Sequence, residues 1–247
     1  MLNTILHGTP TARPPLLIAH GLFGSARNWG VIAKRLSDNR QVIAADMRNH
    51  GGSFWSDVHD YPAMAGDLGE LVEGQADLLG HSMGGKAAMM LALTQPDKVR
   101  RLVVADIAPV AYGHSQQPQV DAMRRVDLAR VTTRAQAAEM MQASTPEIAA
   151  FLLQSLDMTE KRWRVNLDVL ERAMPAVVGW PTVTGRFDGP VLFLSGANSD
   201  YVLPAYRDTI RASFPAARFA RIPGTGHWLH AEKPREFEAA VRAFLEA

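Results

Sequence analysis

The sequence predicts an α/β fold: a mostly parallel central sheet flanked by helices, with an inserted helical segment. Two observations predict it. Short apolar runs of strand length alternate with helix-type segments, as in proteins whose parallel strands are joined by crossover helices. Between residues 110 and 187 the strand-like runs stop and helical periodicity takes over. We therefore expect a core built from residues 1–109 and 188–247, with residues 110–187 as a helical cap. Further crossover helices of the core layer are the alternative.

Five apolar runs of four residues are the predicted core strands, and each is followed by a glycine or a polar residue. The runs span residues 16–19, 42–45, 76–79, 102–105 and 191–194, and a further strand is expected to end near Ile222. Continuous apolar runs of this length are typical of strands buried on both faces. Because the residues after parallel strands collect at one edge of the sheet, we expect the functional site at that edge.

Helical patterns fill the intervals between the predicted strands. Asn28 is expected to cap a helix that runs to Leu36, and helices are expected over 61–72, over 84–93 and from Pro234 onward.

The segment predicted as a cap carries its own helical signals. Thr145 and Pro146 are typical of an N-cap followed by the first helical turn. Four apolar residues recur at spacings of four, three and four, which predicts one face of a second helix: Trp163, Leu167, Leu170 and Met174.

The charge balance and composition exclude several classes of protein. The 247 residues include 26 Lys and Arg against 25 Asp and Glu, a formal net charge of +1. Nucleic-acid-binding proteins and polybasic membrane anchors normally need a basic excess, so neither partner is expected. There is no cysteine, which removes disulfide and thiolate chemistry and fits a reducing compartment. No signal peptide or membrane span is evident, so we expect a cytoplasmic protein.

A G-x-S-x-G pattern contains the candidate nucleophile. Ser82 lies between Gly80 and Gly84, after a predicted strand and before a predicted helix of small residues. A serine on such a sharp turn sits in strained backbone, so the residues two positions before and after it must be small. The turn also places the serine at a helix N-terminus, where free N–H groups favour developing negative charge. The alternative is a glycine-rich turn whose serine only caps the helix.

A serine hydroxyl needs a base, and His227 is the candidate among eight histidines. It lies in a loop before the last helix, and the chain order serine, acid, histidine is found in enzymes with this kind of turn. His230 is the second choice and is expected to be structural, while His81 is expected to pack under the turn. His20 and His50 follow strands and are expected to fix loops by hydrogen bonds. Three histidines without a motif are expected at the surface: His7, His59 and His114.

An oxyanion hole needs two preorganised backbone N–H donors. Met83, directly after the serine, is expected to supply one. The second is expected from the loop over residues 20–24, in which Gly21 and Gly24 let the backbone approach closely. Leu22 is the predicted donor, and its neighbour Phe23 is the alternative.

Five motifs, taken in order, resemble the α/β-hydrolase superfamily and, within it, the YbfF-type esterases. They are His20-Gly21-Leu22-Phe23-Gly24-Ser25, Asp46-Met47-Arg48-Asn49-His50-Gly51, Gly80-His81-Ser82-Met83-Gly84-Gly85-Lys86, Asp106-Ile107-Ala108-Pro109-Val110 and Gly226-His227-Trp228. The resemblance implies the α/β-hydrolase fold, hydrolysis of acyl esters or thioesters, no cofactor, no metal and a small helical cap.

The acid of the triad has two candidates. Most α/β-hydrolases place it three residues beyond a glycine after a late strand, but here that position, counted from Gly196, holds Ser199. Asp200 is a carboxylate one position later. Asp106 ends an earlier strand, and the YbfF-type resemblance favours it. In either place the acid would hold the histidine in its working tautomer and stabilise its cation.

Together these features predict a serine hydrolase that cleaves small acyl esters through an acyl-enzyme. Alternatives are an acyl-CoA thioesterase on the same triad, a serine haloperoxidase or carbon–carbon hydrolase, and a ligand-binding protein without turnover. We expect a small-molecule substrate and a monomer or small homo-oligomer. Apolar residues of the cap are expected to contact the acyl chain, among them Ile148, Phe151, Trp163 and Leu167.

Overall fold

The computed structural model describes all residues, 1–247, and contains nine strands and eleven α-helices. The strands are β1 (Thr4–His7), β2 (Leu16–Ala19), β3 (Val42–Ala45), β4 (Ala76–His81), β5 (Val99–Ala105), β6 (Leu156–Asp157), β7 (Arg162–Trp163), β8 (Val191–Gly196) and β9 (Ala217–Ile222). The α-helices are α1 (Gly30–Leu36), α2 (Tyr61–Glu70), α3 (Met83–Thr94), α4 (Gln117–Arg124), α5 (Arg134–Met141), α6 (Pro146–Leu152), α7 (Leu167–Arg172), α8 (Met174–Val178), α9 (Arg207–Ser213), α10 (Leu229–Glu232) and α11 (Pro234–Glu246).

Seven strands form one sheet in the order β1-β3-β2-β4-β5-β8-β9. All neighbours in this sheet are parallel except β1, which pairs antiparallel with β3. The predicted mostly parallel sheet is confirmed, and each predicted run forms a strand. The edge strand β1 was not predicted, because its four residues are only partly buried and carry no continuous apolar run.

Two apolar layers cover the sheet because alternate residues of each strand point to opposite faces. On one face, Leu17 packs with the buried sides of α2 and α3. On the other, Leu16 and Ile18 pack with α1 and α11. The sheet is therefore buried on both sides, and its free carboxyl edge is where the loops of the site meet.

Residues between β5 and β8 form five helices and a two-stranded hairpin of β6 and β7. We call this stretch between β5 and β8 the inserted segment and the rest of the chain the main body. The inserted segment packs around a core of 15 buried residues, one of which is Phe23 from the main body. As predicted, the Thr145 side chain caps α6 by accepting from the N–H of Ile148. The division of the chain into a core and a cap at residues 110 and 187 stays a prediction.

Two local predictions were wrong, each because a side chain forms a different contact. Trp163 lies in β7 and not on a helix, because α7 starts after Asn166, whose side chain accepts from the N–H of Val169. Asn28 does not cap a helix that runs to Leu36. It lies inside a 3₁₀ turn before α1, where its side chain accepts from the N–H of Ser25.

No helix of the chain combines the length and the apolar character needed to cross a bilayer.

Candidate active site

Ser82 lies on a tight turn that joins β4 directly to α3. Its φ of 53° is in the left-handed region, which is costly for a residue with a Cβ atom. The turn closes because its flanking residues are glycines. A Cβ atom on Gly80 would lie 2.3 Å from the carbonyl oxygen of Gly84, and one on Gly84 would lie 2.3 Å from that of Ala19. The local sequence therefore folds into the strained turn expected for a nucleophile.

A continuous path of hydrogen bonds joins Ser82, His227 and Asp106. The Oγ atom of Ser82 is 3.1 Å from Nε2 of His227, and Nδ1 of the same ring is 2.7 Å from Oδ2 of Asp106. Because a carboxylate accepts, Nδ1 carries the proton and Nε2 faces the serine with its lone pair. Such a relay can remove the proton of a serine hydroxyl.

His227 lies in the loop between β9 and α10 and is held from two sides. Below it, Nε2 of His81 donates to the backbone carbonyl of His227 over 2.9 Å. Above it, the Tyr201 ring stacks on the imidazole with the ring centroids 4.0 Å apart. Burial keeps the pKa of His81 well below its usual range, so His81 stays a neutral donor. These contacts restrict how far the imidazole can swing.

Asp106 ends β5 and is fully buried, and its φ of 52° is again in the left-handed region. Besides His227, its carboxylate accepts from the N–H of Gly196 over 3.0 Å and from the hydroxyl of Ser199 over 2.5 Å. The alternative acid, Asp200, is exposed in the loop after β8 and forms no hydrogen bond with His227. Ser199, at the position where most α/β-hydrolases have the acid, thus supports the carboxylate of Asp106, which follows β5.

The two candidate donors of the loop over residues 20–24 differ in whether the protein already occupies them. The N–H of Phe23 donates to Nε2 of His50 over 3.1 Å, so it is not available to a substrate. The N–H of Leu22 has no acceptor in the protein. Met83 is the first residue of α3, where an N–H has no partner within the helix. Leu22, Met83 and Ser82 all line one cavity, so the two residues predicted to supply donors border the same space as the serine.

Two buried histidines hold this loop in place. Nδ1 of His50 donates to the carbonyl of Arg48, while Nδ1 of His20 donates to that of Gly21 and Nε2 of His20 accepts from Met47. Burial lowers the pKa of both imidazoles, that of His50 well below its usual range. They therefore stay neutral and keep the lone pairs with which they accept. Sequence reasoning expected both to fix loops, but it did not identify Phe23 as the contact of His50.

The cavity has a volume of about 380 Å³ and is lined by core and inserted-segment residues. The inserted segment contributes Ile148, Phe151, Val177 and Val178 among others. The expectation that Trp163 and Leu167 would also line it was wrong. Trp163 is buried in the core of the inserted segment, and the partly buried Leu167 packs against that core. Tyr201 and Trp228 of the main body also line it.

Lys86 lines the cavity, although the sequence motif that contains it predicts no role for this residue. Its Nζ atom donates to the carbonyls of Val178 and Gly179 at the end of α8, and it lies over the rings of Tyr61 and Tyr112. Burial lowers its pKa to about 7, although these contacts favour the charged form. Lys86 is four residues after Ser82 on α3, so it ties the inserted segment to the helix that carries the candidate nucleophile.

The expected surface histidines lie in three different environments. His59 is buried and sits near His50 and the Asn49 side chain, contrary to the expectation. His114 is exposed as expected but also lines the cavity. His7 is partly buried at the end of β1. No group of three or more His, Asp or Glu side chains is arranged to bind a metal ion.

Comparison with known proteins gives consistent matches along most of the chain. Residues 16–240 match the model of the Alpha/beta hydrolase family. The chain is 42% identical over 238 residues to Esterase YbfF of Escherichia coli (strain K12), covering 94% of this chain and 92% of that protein. It is 38% identical over 257 residues to the sn-1-specific diacylglycerol lipase ABHD11 of Mus musculus, covering 98% of this chain and 83% of that protein. Among solved structures, a marine microorganism esterase superposes with a TM-score of 0.93 at 35% identity, covering 98% of both chains.

Proposed function

Since this chain belongs to the alpha/beta hydrolase family, we propose that it is a serine esterase that cleaves small carboxylic esters through an acyl-enzyme on Ser82. The observation that carries the proposal is the hydrogen-bonded path from Ser82 through His227 to the buried Asp106, which opens into a cavity of substrate size. The names of the two similar esterases agree with ester hydrolysis.

Acylation begins when Ser82 attacks the carbonyl carbon of the ester. Its proton passes to Nε2 of His227, and the resulting imidazolium is stabilised by the carboxylate of Asp106. The carbonyl oxygen becomes an oxyanion, which the N–H groups of Leu22 and Met83 bind. When the tetrahedral intermediate breaks down, Nε2 gives its proton to the leaving alkoxide, and the alcohol departs.

Deacylation repeats these steps with water as the nucleophile. The water loses a proton to Nε2 of His227 and attacks the acyl carbonyl, and the same two N–H groups hold the second oxyanion. The proton then returns to the serine oxygen as the carboxylic acid is released. Every group required is already within hydrogen-bond reach in the protein, so no large rearrangement of the triad is needed.

The cavity favours an uncharged substrate. Among the lining residues Lys86 is the single one of the Lys, Arg, Asp and Glu types, and its Nζ atom is engaged by two backbone carbonyls. Residues 110–187 are proposed to act as the cap, because Ile148, Phe151, Val177 and Val178 form part of the wall. A cytoplasmic location, and a monomer or small homo-oligomer as the active form, belong to the same proposal.

Covalent labelling tests the proposal directly. A fluorophosphonate probe should label the folded wild-type protein, and both labelling and hydrolysis of 4-nitrophenyl butyrate should disappear in Ser82→Ala. The half-buried Ser37, which donates to a carbonyl at the end of α1 and does not line the cavity, offers the control Ser37→Ala, which should label normally. Folded wild-type protein that neither labels nor hydrolyses the ester would reject the proposal. Parallel assays with butyryl-CoA separate an esterase from a thioesterase.

A further inference from the structure

The side chain of Phe23 belongs to the inserted segment, although its backbone belongs to the main body. Phe23 is 4% exposed and is the one main-body member of the 15-residue core of the inserted segment. The preceding residue, Leu22, is half-buried and packs both against this core and against the main-body core beside α2 and α3. Two successive side chains of the loop over residues 20–24 are therefore packed against the inserted segment.

The backbone of Phe23 is strained, so its conformation needs a compensating contact. Its φ of 63° lies in the left-handed region, where glycine meets no steric penalty and a residue with a Cβ atom does. Such a conformation persists only where the surrounding structure holds it. Glycine at this place would relieve the strain but would supply no ring to the core of the inserted segment. The buried ring therefore helps to hold the loop in its conformation.

The acceptor of the Phe23 N–H is tied to the same segment by a second route. His50 accepts that N–H and forms an antiparallel bridge with Val165. Around the bridge, residues 49–51 pair with residues 164–166 through backbone hydrogen bonds of 2.7 and 2.9 Å. Val165 is itself buried in the core that contains the Phe23 ring. The ring and the N–H of Phe23 thus lead by separate contacts to the inserted segment.

From these contacts we propose that the inserted segment positions the oxyanion donor, and that Phe23 is the positioning residue between them. The N–H of Leu22 has no acceptor in the protein, so the packing of the loop has to place it. A displaced N–H loses contact with the oxyanion, which forms only in the transition state, so the loss should appear in kcat. The inference rests on the proposed esterase function. It adds that the inserted segment acts on the chemical step besides lining the cavity.

An inhibitor that forms an oxyanion tests the inference. Trifluoroacetone adds reversibly to a nucleophilic serine: Oγ of Ser82 bonds to the ketone carbon, the serine proton passes to His227, and the ketone oxygen becomes the oxyanion. In Phe23→Ala its inhibition constant should rise by about tenfold or more, and kcat for 4-nitrophenyl acetate should fall comparably with little change in KM. An inhibition constant does not depend on the amount of active enzyme, so a loss of folded protein cannot imitate this result.

A second variant separates positioning from direct contact with the inhibitor. Phe23 lines the cavity, whereas Val165 does not, although both belong to the core of the inserted segment. Val165→Ala should therefore raise the same inhibition constant severalfold without touching the inhibitor. Phe214 supplies the control, because it is also a buried phenylalanine, lies in a main-body core and does not line the cavity. Phe214→Ala should keep the wild-type inhibition constant.

Phe23→Leu decides the question if Phe23→Ala does not fold, since it keeps part of the apolar volume and should shift the inhibition constant in the same direction. A wild-type inhibition constant in the folded Phe23 variant would overturn the inference, as would an equal rise in Phe214→Ala. A rise in the Phe23 variant with none in Val165→Ala would show that the ring contacts the inhibitor, which overturns positioning by the inserted segment. In all these cases the wild-type protein still hydrolyses the ester. Absence of that turnover would instead reject the proposed function.

Discussion

Replacement of His50 by asparagine should weaken the oxyanion hole without touching a group that contacts substrate. The Asn side chain can still donate to the carbonyl of Arg48 from the position of Nδ1. It cannot reach the N–H of Phe23, which in the wild-type protein donates to Nε2 of His50 over 3.1 Å. Phe23 is buried with a φ of 63°, so this bond helps to hold a strained backbone. When it is lost, the N–H of the preceding residue, Leu22, is expected to leave its place.

The size of the expected effect follows from the hydrogen bond that the loop over residues 20–24 loses. An unpaired buried N–H costs about 1–3 kcal/mol of stability, which for a chain of this length lowers the Tm by roughly 2–10 °C. Loss of one oxyanion donor costs about 10²–10³ in kcat, and a displaced donor should lie near the lower limit. We therefore expect His50→Asn to lower kcat about 100-fold with little change in KM, because the donor acts mainly on the transition state.

A second variant separates positioning from packing. His50→Gln places an amide oxygen near the position of Nε2, so it should accept from Phe23 and recover most of kcat. Steady-state kinetics on 4-nitrophenyl butyrate, with thermal unfolding of both variants, measure the two effects. The reasoning is refuted if folded His50→Asn keeps kcat within threefold of wild type. It is also refuted if the Asn and Gln variants lose kcat equally.

Three further outcomes are expected. Asp106→Asn should lower kcat on the order of 10⁴-fold by favouring the wrong imidazole tautomer, whereas Asp200→Asn should stay near wild type; the reverse result would move the acid to Asp200. Ser199→Ala should lower kcat by about tenfold at most, since the N–H of Gly196 still holds the carboxylate, and a loss as large as that of Asp106→Asn would contradict this supporting role. Because burial lowers the pKa of Lys86 to about 7, the unfolded chain binds more protons between pH 7 and about 10, so stability should rise with pH in that window. The Tm difference between wild type and Lys86→Met, followed from pH 7 to 9.5, should shift in favour of wild type, and a constant difference would contradict the shifted pKa.

The parts of the site that depend on local geometry could be predicted from the sequence. Ser82 and Met83 follow from a turn whose glycines admit no Cβ atom, and the strands follow from continuous apolar runs. Contacts between distant segments could not be read in the same way. The bond from Phe23 to His50 spans 27 residues, and the support of Asp106 by Ser199 spans 93. Nothing in the pattern around either partner specifies such a pairing.

The inserted segment shows how periodicity can mislead. Trp163 has the spacing of a helical face with Leu167, but the cap formed by Asn166 starts the helix only after the tryptophan. Apolar spacing reports burial, and a two-residue strand buries its tryptophan as well as a helix would. Side-chain caps are short-range signals, and here a cap overrides the spacing.

Under the proposed mechanism, the order of the strands determines when during synthesis Ser82 becomes reactive. Ser82 and Asp106 leave the ribosome early, on the neighbouring strands β4 and β5, whereas His227 follows β9, which reaches β5 only through β8. A nascent chain that ends before β9 therefore carries the proposed nucleophile without its proposed base. We therefore expect the serine to stay inert until the final strand has docked.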